Sequence, residues 1–205
     1  MTGVAEVAGA VQNEPDKREC VFAAVGRGRR GRRFLVEQRR SAVSTRGVVY
    51  VHSSPSAVCP HVEWAISGTL GVRANLQWTA QPAAQGQLRA ECGWTGEAGT
   101  GAKLVAALKA WPMTRFEVTE DPSAGVDGER FCFVPTLGLW RSRTAANGDI
   151  VVGEDQLRAM AAASRAGEAF AHKVDEVLGA SWDAALEPYR RAGDGAPVTW
   201  LHRVG

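Results

Sequence analysis

Cys59-Pro60-His61 is the one place in this 205-residue chain where a thiol and an imidazole stand two residues apart. A thiol at a helix N-terminus has a lowered pKa, and a nearby imidazole can act as its base. Cys59 and His61 are therefore the candidate pair for a small thiol or acid–base enzyme. Together with His52 they would give a metal three ligands. A structural zinc site needs four, and no fourth stands near them, so no metal is expected. Cys20, Cys92 and Cys132 lie far from one another and from Cys59, which leaves no CxxC spacing.

Gly96-Glu97-Ala98-Gly99-Thr100-Gly101-Ala102-Lys103 nearly spells a phosphate loop. A nucleotide-binding loop places Lys directly after its second glycine and then Ser or Thr for magnesium. Here Ala102 intervenes and Leu104 follows, so no nucleotide cofactor is expected. Amides at the start of the following helix could still hold an anion. Glu117, Glu120, Asp121, Asp127 and Glu129 flank one turn. Acid–base work would require burial to raise one of their pKa values, and so polar a turn reads as solvated.

A third group comes from alternation along strands. Trp78, Trp94 and Phe116 fall on the apolar phase, which should face helices. Arg73, Gln77, Arg89, Glu91, Arg115 and Glu117 fall on the polar phase, with Tyr50 and His52 between them. A sheet covered on one side only would leave that phase open. Arginines beside aromatic groups there suit an acidic protein or an anionic small ligand, so Tyr50, His52, Arg73, Arg89, Glu91, Arg115 and Glu117 form the candidate binding face.

The elements that must position these residues are readable in outline. Val48 to His52 is apolar on both alternating faces, as a central strand is. Ser53-Ser54-Pro55 stops it. Val58, Val62, Ala65, Ile66 and Leu70 follow at helical spacing, with Pro60 in the first turn and Gly71 just past the end. Residues 73–79 and 87–94 alternate as two half-buried strands about a turn at 82–86, predicting a hairpin. A second helix carries Leu104, Ala107, Leu108 and Trp111. Residues 115–119 give a fourth strand. The order β-α-β-β-α-β is the split βαβ, or ferredoxin-like, arrangement. Beyond it, residues 131–140 predict a strand interrupted at Pro135 and Gly138. Asn147-Gly148-Asp149 predicts a turn into a short strand. Helices follow from Glu154, inward at Leu157, Met160 and Ala161, and again inward at Phe170, Val174, Val177 and Leu178. A short helix holds Trp182 and Leu186 and stops at Pro188. Residues 198–204 close as a strand. The fold class is α+β, a ferredoxin-like half over 46–121 extended by a C-terminal hairpin, helices and final strand over 122–205.

Charge separates the two ends. Residues 1–46 hold ten Lys or Arg against five Asp or Glu, and residues 47–205 hold 14 against 17. Residues 1–45 therefore read as a basic Gly/Arg-rich tail, and only the run around residues 26–40 offers a nucleic-acid arm. The remaining domain, 46–205, lacks the positive field of a nucleic-acid-binding module. The first 25 residues show no basic segment leading into an apolar one, and no apolar stretch is long enough to span a membrane, so a cytoplasmic protein with reduced thiols is expected.

Several segments also resemble a known family. GVVYVHSSPSAVCPHVEWA (47–65), GEAGTGAKL (96–104), TRFEVTE (114–120), DGERF (127–131), LEPYR (186–190) and GDGAPVTWLHRVG (193–205) are similar to an uncharacterised actinobacterial family, domain of unknown function 3145. The resemblance implies no activity. It implies an accessory role linked to actinobacterial fatty-acid metabolism. With no cofactor fingerprint in the chain, the expectation is a non-catalytic binding or accessory protein. The thiol enzyme at Cys59 and His61 and a nucleic-acid-associated protein acting through its tail stand as alternatives.

Overall fold

A computed structural model describes residues 43–165, 169–192 and 198–202. The first strand, β1 (Ser44–Pro55), is followed by helix α1 (Cys59–Leu70), a two-residue strand β2 (Thr79–Ala80), and β3 (Gln87–Glu97). Helix α2 (Thr100–Leu108) leads to β4 (Arg115–Glu120), and a hairpin follows from β5 (Gly128–Val134) and β6 (Gly138–Thr144). A short β7 (Ile150–Val151), three helices α3 (Glu154–Arg165), α4 (Phe170–Leu178) and α5 (Ala180–Arg191), and β8 (Val198–His202) complete an α+β fold. The sheet runs β2-β3-β1-β4-β5-β6-β7 with antiparallel neighbours, and β8 adds to β3 in parallel.

β1 is central because it can be buried on both sides. Val49 and Val51 are within 2% of complete burial and pack under α1 and α2. They meet Val62, Ile66, Leu70, Leu104 and Leu108, with Trp94, Phe116 and Val118 from neighbouring strands. α1 is bounded as its residues dictate: a proline in its first turn, then Gly71 at φ 71°, whose N–H donates to Ser67 O at 2.8 Å. β1 begins at Ser44, four residues before Val48, the expected start. Thr45 is buried and donates from Oγ1 to Asp121 O at 2.6 Å.

The other sheet face carries a second, smaller core of Cys132, Val134, Trp140 and Leu186, joined by Trp182 and Ala185. Leu186 belongs to α5, so this helix lies across the face opposite α1 and α2. Gly179 makes its approach possible. Its φ is 76°, and a Cβ there would stand 2.6 Å from the Trp140 ring.

Three expectations change. Residues 73–78 alternate between exposed and buried but form no strand. Their amides bond to α1 instead: Ala74 N–H donates to Ser67 Oγ at 2.8 Å and Leu76 N–H to Glu63 Oε1 at 3.0 Å. The edge of β3 that this segment would have filled is paired with β8 over Glu91–Thr95. Secondly, α5 does not stop at Pro188 but continues to Arg191. Proline removes one helical hydrogen bond, and ion pairs made by the turn beyond it offset that loss. Thirdly, α4 packs mainly on α3 and α5 and meets the sheet where Trp140 Nε1 donates to Val177 O at 3.3 Å, and Phe170 and Leu178 are exposed, as Leu157 is on α3.

Candidate functional site

Strand register aligns one row of side chains on the face away from α1 and α2. Glu91 lies opposite Tyr50, Tyr50 opposite Glu117, Glu117 opposite Cys132, and Cys132 opposite Trp140. A bulge in β1 just after Val51 brings His52 beside Tyr50, the rings stacked 6.1 Å apart. α5 crosses this row and makes Glu117 its centre. Arg190 Nε donates to Glu117 Oε1 at 2.7 Å, and its Nη2 donates to the same oxygen. His52 Nε2 lies 3.3 Å from Oε1, and Arg130 Nη2 lies 3.6 Å from Oε2. Asp183 Oδ1 accepts from Arg130 at 2.6 Å and from Arg190 at 2.8 Å, closing the cluster.

Glu117 is 5% exposed. Burial alone would raise its pKa. The close approach of His52 at 3.3 Å and the positive charges of Arg190 and Arg130 outweigh burial and bring it down to about 2. It stays ionised at neutral pH. Burial raises the pKa of Tyr50, and the negative charges of Glu91 and Glu117 push it further in the same direction. Burial also raises Glu91, against the opposing charge of Arg89.

Beside this cluster the same face opens into a cleft of about 430 Å³, lined by Arg46, Thr119, Asp121, Glu129, Arg130 and Thr144 among others. A hollow of about 290 Å³ adjoins it and shares Arg46, Asp121 and Pro122. A family model described as a protein of unknown function, DUF3145, matches residues 48–203. The chain belongs to that family. No curated protein and no solved structure matches it. The matched span runs from β1 into β8, so the Glu117 cluster is built entirely within the DUF3145 domain.

The structure brings together only part of the expected binding face. Tyr50, His52, Glu91 and Glu117 converge, but α5 covers Glu117, so the face is not open there. Arg115 sits at the β1 bulge, its guanidinium 4.8 Å from the Tyr189 ring centre and its Nη1 donating to Ser53 Oγ at 3.4 Å. Arg89 is half-buried, and its Nε makes no hydrogen bond among the described residues. Arg73 stands apart, exposed on the segment tied to α1, because that segment is not a strand of the DUF3145 sheet. Arg46, Arg130, Asp183, Tyr189 and Arg190 were not expected at the site. Arg130 was signalled by its phase opposite Phe131 and Phe133. Asp183 and Arg190 were signalled by sharing a helical face with Leu186, two turns apart.

Cys59 is buried, and its thiol donates to Pro55 O at 3.5 Å. Burial raises its pKa, more than the Ser54 bond lowers it. His61 is occupied in a stack on Trp111, ring centres 5.8 Å apart. Neither residue has the setting of an activated nucleophile and base. Among the described residues, no three His, Cys, Asp or Glu side chains are grouped to hold a metal ion.

The glycine loop has an anion of its own. Gly99 N–H donates to Glu120 Oε1 at 2.6 Å, and Gly101 N–H to Oε2 at 2.7 Å. The Glu120 carboxylate thus occupies the N-terminus of α2. Glu117 and Glu120 are both buried, which corrects the expectation of a solvated acidic turn. Strand pairing draws Glu120 in: it sits on β4 next to β1, directly beneath Gly101.

Proposed function

We propose that this DUF3145 protein is a non-catalytic binding or accessory protein of the cytoplasm. In this reading it recognises an acidic protein or an anionic small ligand through the sheet face opposite α1 and α2. The observation that carries the reading is the cleft of about 430 Å³ on that face, where Arg46 and Arg130 stand beside Glu120, Asp121 and Glu129. Its size is that of a small-molecule site, roughly 300–1,000 Å³. The locked state of the reactive groups supports binding over catalysis. Glu117 is clamped as an anion, and the thiols of Cys92 and Cys132 are pushed up by burial to about 12.

For the fold, we infer a split βαβ over residues 44–120. The strand order β4-β1-β3-β2, with α1 and α2 on one face, supports it. On this reading the fourth strand of a ferredoxin-like unit is extended sideways by β5, β6 and β7, and α5 closes over the face that such units leave bare.

The test uses the whole chain as bait in an actinobacterial cytoplasmic extract, beside an Arg46→Glu, Arg115→Ala variant of equal melting temperature. Bound proteins and small molecules are both identified by mass spectrometry. An acidic protein or anionic compound retained by the parent and lost by the variant is the expected result. Equal retention by both, or turnover of the captured compound, overturns the reading.

A further inference from the structure

We infer that the cleft between Arg46 and Arg130 is the subsite for one oxyanion group, a carboxylate or phosphate, of a small molecule. The inference rests on the binding reading above and assigns it a place outside the seven residues of the expected face.

The argument is an inventory of donors and acceptors around the cleft. Each of its acids has a donor on at least one oxygen. Glu120 accepts from the amides of Gly99 and Gly101. Glu129 accepts from Arg141 Nε at 3.1 Å and also from Arg141 Nη2. Asp121 Oδ2 accepts from Arg46 Nε at 2.8 Å. The two arginines are not used up. Arg46 contributes only Nε to Asp121, and among the described residues neither of its Nη groups makes a hydrogen bond. Arg130 contributes Nη2 to Asp183, and its Nε and Nη1 make no hydrogen bond among the described residues. Asp121 Oδ1 and Glu129 Oε2 also make no hydrogen bond among the described residues, but two carboxylate oxygens take up fewer N–H groups than the two guanidinium groups leave unused. A planar guanidinium fork fits a carboxylate or phosphate in two parallel bonds.

Arg130 is preorganised for this task. Asp183 fixes one end of its guanidinium, and the plane lies 5.7 Å from the Trp140 ring centre, so a ligand need not order it. Arg46 is the mobile jaw. Its side chain is 77% exposed, and a surface pair such as Arg46–Asp121 holds weakly enough to be rearranged by an incoming anion. Asp121 keeps its position without it, because its N–H donates to Arg46 O at 2.7 Å and its carbonyl accepts from Thr45. Two lining residues, Thr144 and Glu120, are packed tightly against Gly128: a Cβ there would stand 2.5 Å from Thr144 Oγ1 and 2.8 Å from Glu120 O.

The experiment is titration calorimetry of the full chain at low ionic strength with inorganic phosphate and with succinate, each against chloride at matched ionic strength. Saturable binding of one equivalent of phosphate or succinate, weakened at least tenfold in Arg46→Glu and unchanged in Lys103→Ala, is the expected result. Arg130→Lys, which keeps the charge facing Asp183 and Glu117, should weaken binding by losing the fork. If Arg130→Lys does not fold, Arg46→Glu alone decides. Affinity unaffected by Arg46→Glu but lost in Arg115→Ala overturns the subsite and leaves the binding reading standing. Failure of both anions to bind the parent chain also overturns the subsite, and the capture experiment then judges the broader reading separately.

Discussion

Glu117 and Arg190 are 73 residues apart in the chain and meet in an ion pair that pins α5 to the centre of the sheet. The pair has company on both sides, His52 and Arg130 around the carboxylate and Asp183 beneath the guanidinium groups. Removing one partner of such a buried set leaves the others uncompensated. Glu117→Gln should therefore lower unfolding free energy by about 3 kcal/mol at pH 7, read from urea midpoints.

The same carboxylate sets a pH window. Its folded pKa of about 2 lies below the ordinary 4.5. The stability it contributes is fully present above pH 4.5 and is lost as pH falls from there toward 2. The difference between the parent chain and Glu117→Gln should be roughly constant from pH 7 to 5 and shrink to near zero at pH 2. A difference that persists undiminished at pH 2 would show that Gln fails there for a steric reason.

Cys59 should be slow to alkylate. Burial holds its thiol protonated, and its hydrogen goes to Pro55 O. In a Cys20→Ser background, Cys59, Cys92 and Cys132 should each react with maleimide at least about tenfold more slowly in native buffer than in urea. Selective, fast labelling of Cys59 at pH 7 would restore the thiol-enzyme alternative.

The α2 N-terminus depends on a residue far from it in sequence. Glu120→Ala should cost about 2 kcal/mol, since it strips a charged acceptor from the amides of Gly99 and Gly101. Lys103 is exposed on the same helix, and Lys103→Ala should change stability by less than about 0.5 kcal/mol. Equal effects in chemical denaturation would mean that the carboxylate does not hold the loop.

The boundary of the domain can be tested at three residues. A chain starting at Val43 keeps the ladder pairs of Ser44, Thr45 and Arg46 with Glu97, Gly96 and Thr95, and a chain starting at Gly47 loses them. The shorter chain should melt about 5 °C lower, at roughly 2–4 °C per kcal/mol for a domain of this size. Identical melting curves would place the working start of β1 at Gly47.

What was legible in the chain was whatever depends on one element at a time. Val48 to Val51 announce a central strand because β-branched residues occupy both faces. Gly71 marks the end of α1 because only a left-handed residue fits there. What stayed hidden depends on partners. Alternation through Ala74, Leu76 and Trp78 tells which side is apolar but not whether a strand or a helix takes the hydrogen bonds, and Glu63 decided for the helix. Pro188 reads locally as a stop, and only the bonds of Arg190 to Glu117 and Asp183 show why the helix continues. Half of the polar face was foreseen from strand phase. Its cover was not, since nothing in the spacing of Asp183, Leu186 and Arg190 names the sheet on which that helix face lies. The tail through residue 42, including the run at 26–40, lies outside the described residues.

The parallel pairing of β8 with β3 bears on how the protein is made. β8 follows every other strand in the chain, yet its place is at Glu91–Thr95, beside a strand synthesised about a hundred residues earlier. Until it arrives, that edge of β3 shows a row of unpaired amides and carbonyls, the template on which nascent chains stick to one another. A ribosome stalled or terminated before Val198 would therefore release a product with an adhesive margin, and cells would need to clear such products quickly.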